Sequence, residues 1–354
     1  MSFFIPGCHC GGCGQISHRL FDESGNLLWS RNLWKEGDSV EAVICRDGQS
    51  VIAWSPYAAT PNLLRKYAAS NGRLLYTGPT IGASGTDGYS NRPVASDSSG
   101  NVFVAEASGL YVYHPDLTSN FNTPYPSPAI TGTGDTFQYV SVSPDDSKIA
   151  VLKIAVSSGP FKYDAALWEF DSSGSVQWDL RWSTTSANPS PPYTVGYDIS
   201  NVLWTGCWTL ATQTKTPTGG SGGPYKAFVS YDSSGNITGD KYGSEPLAWT
   251  ATDYSEKLPY KTYGGGSAQH DIYDPDGSGF GVGSSIYNSY PKYVSQLCAN
   301  TSGDKVAVTL GDGLYFYPSN FSGLLWSFPE TASSAFKLDC IDGLVLIGGP
   351  FRSR

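Results

Sequence analysis

The chain is 354 residues long, with a formal net charge of −9 and 22 Lys and Arg against 31 Asp and Glu. Aromatics reach 14%, which excludes a disordered chain, because disorder goes with few aromatics and high net charge. There is no basic stripe to track phosphates and no apolar run of the ~18–20 residues that span a membrane as a helix, so neither nucleic acid nor a helical membrane anchor is expected.

Residues 1–14 form a Cys- and Gly-rich tip ahead of one domain over 15–354. Phe3, Phe4 and Ile5 are the whole apolar stretch, with no Lys or Arg before them, so no secretory signal peptide is expected. Cys8, Cys10 and Cys13 are spaced C-x-C-x-x-C with His9 and His18 nearby. Thiolates and imidazole suit zinc or an iron–sulfur cluster, and this spacing resembles half of such a site with His18 as fourth ligand. The competing reading is a tip whose thiols are free or disulfide-bonded. No other cofactor is expected. Cys45, Cys298 and Cys340 each end an apolar run before a turn, which marks small core residues, and Cys207 reads as strand interior.

Further along, one signal recurs: an aromatic residue, then Asp or Pro, then Ser, Asn and Gly, often then Leu-x-Trp. It begins at Phe21, Tyr67, Tyr113, Phe170, Tyr231, Tyr273 and Tyr317. A second signal, two apolar runs around a polar turn, has turns near Asp47, Asp97, Asp145, Asn201, Tyr254, Ser302 and Asp342. The two alternate strictly, and each pair implies four short strands, A to D, joined by tight A–B and C–D turns. A repeat of about 50 residues with four strands is a propeller blade. No segment sustains a 3.6-residue period, so helix is expected to be scarce.

The expected fold is all-β, a seven-bladed β-propeller. Its blades fall near 40–80, 90–126, 137–184, 193–245, 247–285 and 292–330, and the last joins 336–354 to 15–35. The chain opens on a C–D turn and closes on an A–B turn, so pairing the terminal half-blades closes the ring without leaving an open sheet edge.

The aromatic-Asp-x-x-x-Gly-x-x-x-Trp shape, best at Phe21–Trp29 and Phe170–Trp178, resembles the repeat of pyrroloquinoline-quinone-type propellers and their non-enzymatic relatives. The run SPDDSK at 143–148 resembles WD40-type blades. The resemblance concerns structural residues and implies a propeller without a particular activity. Quinoprotein dehydrogenases of this type have eight blades, a vicinal disulfide and an export signal, none of which is seen here.

Length variation is confined to the B–C and D–A connections, at 154–164, 211–226, 260–269, 76–92, 123–135, 183–193 and 284–293. Long loops on a rigid scaffold carry function, and Tyr gives contact area at low entropic cost. Tyr57, Tyr89, Tyr193, Tyr225, Tyr263, Tyr287 and Tyr290, with Tyr125 and Tyr293, are therefore expected to form a ligand-binding face or to pack the loops against the blades.

Catalytic chemistry is sparse. His114 falls in a C–D turn. His270, beside Asp271 after a Gly-rich loop, is the one candidate general base on the long-loop side. Asp274–Gly279 opens like a calcium loop but lacks the closing Glu, and GGSGG at 219–223 lacks the Lys-Ser/Thr of a phosphate loop.

The leading expectation is a non-catalytic binding or assembly module, a component of an extracellular assembly or virus particle. Its long-loop face would engage protein or glycan, and homo-oligomers are compatible with it. The alternatives are a hydrolase or lyase using the central cleft, and an intracellular WD40-like scaffold in the cytoplasm.

Overall fold

The computed structural model of the chain describes residues 16–33, 40–55, 63–81, 93–126, 136–157, 162–184, 192–197, 200–207, 225–243, 247–250, 260–263, 269–273, 286–287, 296–302, 304–310, 313–318, 323–329 and 337–350. Strands and turns account for them, with no helix among the described residues. The chain begins with β1 (Ile16–Asp22) and β2 (Leu27–Arg31). Sheet 1 follows: β3 (Glu41–Ile44), β4 (Ser50–Trp54), β5 (Leu63–Ala68) and β6 (Leu74–Thr80). Sheet 2 is β7 (Val94–Ser96), β8 (Val102–Ala105), β9 (Gly109–Tyr113) and β10 (Ser119–Pro124). Sheet 3 is β11 (Thr136–Val142), β12 (Lys148–Ser157), β13 (Lys162–Asp171) and β14 (Val176–Thr184). Sheet 4 is β15 (Pro192–Tyr197), β16 (Leu203–Cys207), β17 (Tyr225–Tyr231) and β18 (Ile237–Gly243). Sheet 5 is β19 (Leu247–Thr250), β20 (Tyr260–Tyr263), β21 (Gln269–Tyr273) and β22 (Ile286–Tyr287). Sheet 6 is β23 (Gln296–Ala299), β24 (Lys305–Leu310), β25 (Gly313–Pro318) and β26 (Trp326–Pro329). Finally β27 (Lys337–Ile341) and β28 (Leu344–Pro350) join β1 and β2 in sheet 7, in the order β2-β1-β28-β27.

All seven sheets are four-stranded, with each strand antiparallel to its neighbours. The terminal segments meet along all of β1, whose partners in β28 run from Ile16↔Pro350 to Asp22↔Leu344.

The recurring turn is set by one side chain. Asp22 Oδ1 accepts the backbone N–H of Ser24 and of Asn26, both at 2.9 Å, and its Oδ2 accepts the Asn26 amide at 2.8 Å. Gly25 then takes a φ of 83°, which a side chain would strain, and the ladder slips between Leu20 and Phe21. Asp171 with Gly174 and Asp232 with Gly235 repeat the device. Asp97 with Gly100 uses it in an A–B turn.

That glycine also receives the neighbouring sheet. A Cβ on Gly25 would lie 2.8 Å from the Trp326 ring, and one on Gly235 2.8 Å from Trp178. Gly174 stands in the same relation to Phe121, and Gly72 meets the Arg31 side chain first and then the Trp29 ring at 3.0 Å. In each case an aromatic from one sheet's outer strand lies on the C–D turn of the next. Trp29 Nε1 donates to Ala69 O at 2.7 Å, and Trp326 Nε1 to Glu23 O at 3.0 Å.

Apolar clusters fill the spaces between sheets 6 and 7, 7 and 1, 1 and 2, 2 and 3, and 3 and 4. Cys45, Cys298 and Cys340 are buried within them, as expected. Burial pushes the Cys45 thiol up to about 12, which makes it inert as a nucleophile. Two expectations are corrected. Residues 260–263 of the 260–269 insertion are strand β20, and residue 269 opens β21. Residues 154–164 are not a loop insertion, because β12 and β13 continue through most of them, leaving only 158–161 between. Ile154 and Ala155 stay buried, so the apolar packing holds the strand in extension.

Gly25→Ala combines a positive φ with collision against Trp326, whereas Gly343→Ala has a φ of 82° but open space around it. Denaturant unfolding is expected to show Gly343→Ala losing about 1–2 kcal/mol, the left-handed cost alone. Gly25→Ala should lose clearly more, and equal losses would remove the stacking role of the turn.

Candidate functional site

In each sheet the A–B and C–D turns share one edge, and the B–C and D–A connections share the other. The short-turn edge is cross-linked by polar contacts. Arg46, in the A–B turn of sheet 1, reaches sheet 3: Nη1 donates to Asp146 Oδ1 at 2.7 Å and Ser143 O at 2.8 Å, and Nη2 to Pro144 O at 2.6 Å. Its backbone N–H donates to Ser96 Oγ of sheet 2, and Ser98 of that sheet also bonds Asp146. Asp145 N–H donates to Asn201 Oδ1 of sheet 4 at 3.2 Å. Asp342 of sheet 7 accepts from Asn300 and Ser302 of sheet 6, and Asp339 accepts from Ile44 N–H of sheet 1 at 2.7 Å. Six consecutive sheets are thus tied turn to turn. No local sequence signal shows this, because the partners lie 40 to 295 residues apart.

The long-loop edge carries the candidate ligand residues. Tyr193 lies in β15, Tyr225 opens β17, Tyr263 closes β20 and Tyr287 closes β22, all at strand ends on this edge. His270 lies in β21 and is paired in register with Tyr263. Tyr57, Tyr89, Tyr290 and Tyr293 lie outside the described residues. Tyr125 follows β10 and stacks on Trp168 of sheet 3, with ring centres 4.4 Å apart and planes 4° apart. His114 is exposed in its C–D turn, as expected.

Cys8, Cys10 and Cys13 also lie outside the described residues, and the described ones contain no group of three or more His, Cys, Asp or Glu placed for a metal. Their expected fellow ligand His18 is on β1, opposite Gly348 of β28 and Arg31 of β2. It is 1% exposed, neither ring nitrogen has a hydrogen-bond partner, and a Cβ on Gly348 would lie 2.5 Å from Nε2. The imidazole therefore sits on the seam where the terminal segments pair.

One surface feature was not anticipated. The exposed large apolar side chains among the described residues are Leu27, Leu28, Leu74, Leu75, Tyr76, Leu324, Leu325 and Ile237. All lie in or just before an outer strand, and all except Ile237 belong to sheets 6, 7 and 1, which pack in succession. The signal was present as Leu-Leu-Trp or Leu-Leu-Tyr after three C–D turns.

No family model and no curated protein matches this chain. Among solved structures, the Pan2 WD40 domain of Neurospora crassa overlays with a TM-score of 0.54 at 8% identity, covering 90% of this chain and 92% of that one. The fold is a β-propeller. A TolB-like chain from Agrobacterium tumefaciens overlays at 0.44 with 9% identity, covering 96% of this chain and all of that one. A Bacteroides caccae protein of unknown function overlays at 0.45 with 9% identity, covering 80% and 94%. At such identity the likeness speaks for the fold alone.

Burial lowers the His18 pKa from 6.5 to about 4. Below pH 6.5 the unfolded chain takes up a proton that the folded chain refuses until about pH 4. Its contribution to stability is therefore complete above pH 6.5 and lost as pH falls towards 4, by about 3 kcal/mol over that span. Urea unfolding at pH 7 and pH 4.5 should show this loss, and His18→Gln should remove that part of it.

Proposed function

We propose that the chain is a non-catalytic seven-bladed propeller, its ring closed by the paired terminal half-blades, that serves as a binding and assembly module. The observation that carries this reading is the apolar band on sheets 6, 7 and 1. Exposed apolar side chains grouped on neighbouring sheet edges mark a surface suited to a partner. Here they stand on β2 and β6 and just before β26, sheet edges whose outer backbone groups can also pair with a neighbour. The cross-linked short-turn edge supplies a rigid frame, and the long-loop edge with Tyr193, Tyr225, Tyr263 and Tyr287 supplies a second surface, for a protein or glycan ligand. A propeller of few charges and many Tyr, Gly and Ser suits an extracellular assembly or virus particle.

The register pairing of Tyr263 with His270 supports the competing reading, a hydrolase or lyase with an imidazole base and a phenol acid. Light scattering on the native protein, alone and with whatever co-purifies, tests the proposal. Substituting Leu27, Leu28, Leu74 and Leu75 with Ser is expected to dissolve the assembly and leave the melting temperature near wild type. A native protein that is a lone monomer would defeat the assembly reading. Turnover abolished by His270→Ala in a folded protein would establish the enzyme instead.

A further inference from the structure

Between sheets 2 and 3 the packing is apolar for most of its depth: Val140, Val142, Ile149, Val151, Trp168 and Phe170 meet Phe103, Leu110 and Val112. One rung nearer the long-loop edge the chemistry changes. The register aligns Gln138, Lys153, Ala166 and Arg181 across the four strands of sheet 3. In an antiparallel ladder, residues in one rung project from the same face. Lys153 and Arg181 therefore project from the face that carries Val151 and Trp168, two residues further along each strand.

Lys153 is 7% exposed. Its Nζ donates to Ala107 O, in the B–C turn of sheet 2, at 2.8 Å and lies 5.9 Å from the centre of the Tyr125 ring. It has no carboxylate partner among the described residues, and burial pushes its pKa down. An ammonium has three N–H donors, and one is used here. Two further donors between these sheets are unmatched: the Tyr125 hydroxyl and the Trp168 indole N–H are buried without a hydrogen-bond partner. Burial and the nearby charge of Glu106 raise the Tyr125 pKa, so its hydroxyl keeps its proton and can donate. Arg181 is already engaged: Nε donates to Asp179 at 2.9 Å and Nη2 to Pro126 O at 2.9 Å.

A buried ammonium with one hydrogen bond and no carboxylate in contact, beside two buried donors that lack a partner, is costly unless an acceptor completes it. We propose that this cleft binds a single carboxylate group on the Lys153 ammonium, with the Tyr125 hydroxyl and the Trp168 N–H as its other unmatched donors. A single ammonium flanked by two neutral donors matches one carboxylate group better than a dianion such as phosphate. The turn at 106–108 and Pro126 place the cleft at the long-loop edge. As a feature of partner contact the site rests on the binding-module reading, and the partner would then insert an acidic group between sheets 2 and 3. As a carboxylate site it stands alone.

Calorimetric titration of the full-length protein with sodium acetate, against sodium chloride at equal ionic strength, tests it. Acetate should bind at millimolar concentration, and Lys153→Met should weaken it about tenfold or more. Lys153→Met should itself fold at least as stably as wild type, because an apolar side chain of similar length replaces a buried charge. Should that variant not fold, Tyr125→Phe carries the test, with about threefold to tenfold weaker acetate binding. Glutamate binding tighter than glucuronate supports the site with a protein source of the carboxylate, and the reverse order supports it with an acidic sugar. Equal acetate binding by wild type and Lys153→Met, or no binding of acetate, glutamate or glucuronate, overturns the proposal. Absence of any partner on the native protein defeats the binding-module reading and leaves the acetate result to decide the site, so the two failures are told apart.

Discussion

The aromatic side chain that lies on the next sheet's glycine turn holds the architecture together. A four-stranded sheet of this size cannot bury its two faces alone, so each must pack between neighbours. Trp29, Trp326, Trp178 and Phe121 fix that packing at the outer edge, because the C–D turn, Asp-directed in three cases and Asn-containing at Gly72, puts a residue without Cβ where the ring must lie. Two requirements meet at one position. The hairpin needs a left-handed residue to close, and the neighbouring ring needs an empty space. Glycine answers both, so the turn motif and the aromatic recur together.

A second set of contacts works nearer the inner strands. Arg46, Asp146, Asp339 and Asp342 link sheets 6, 7, 1 and 3 along the A–B turn edge, so these sheets are pinned both outside and inside. Packing pinned at both places lets the long-loop edge vary without loosening the scaffold. The seam follows the same economy. β1 and β28 pair over seven residues, and His18 is enclosed there because Gly348 opposite leaves room for its ring.

These constraints separate the surfaces by role. The short-turn edge is committed to holding the sheets together. The outer strands of sheets 6, 7 and 1 expose leucines that nothing in the chain covers among the described residues. The long-loop edge combines strand-end tyrosines with the Lys153 cleft, where the apolar packing of sheets 2 and 3 gives way to unmatched donors.

The amino-acid sequence by itself determined, over the described residues, the strands, the two kinds of turn and the meeting of the terminal segments; the turns near Tyr254 and after Tyr273 lie outside those residues. Those features are local, since an Asp carboxylate bonds amides two and four residues on, and a glycine relieves strain at its own position. It also marked Cys45, Cys298 and Cys340 as core. It misjudged 154–164, because a Ser- and Gly-containing stretch reads as a loop until the neighbouring sheet is present to hold Ile154 and Ala155 in extension. Only the tertiary structure decided that Arg46 spans to Asp146, that three Leu-Leu pairs stay exposed at the outer edges of sheets 6, 7 and 1, and that Lys153 faces Tyr125. Each of these depends on the register and packing of strands far apart in the chain, and no spacing along a single strand encodes which side chain waits on the other side.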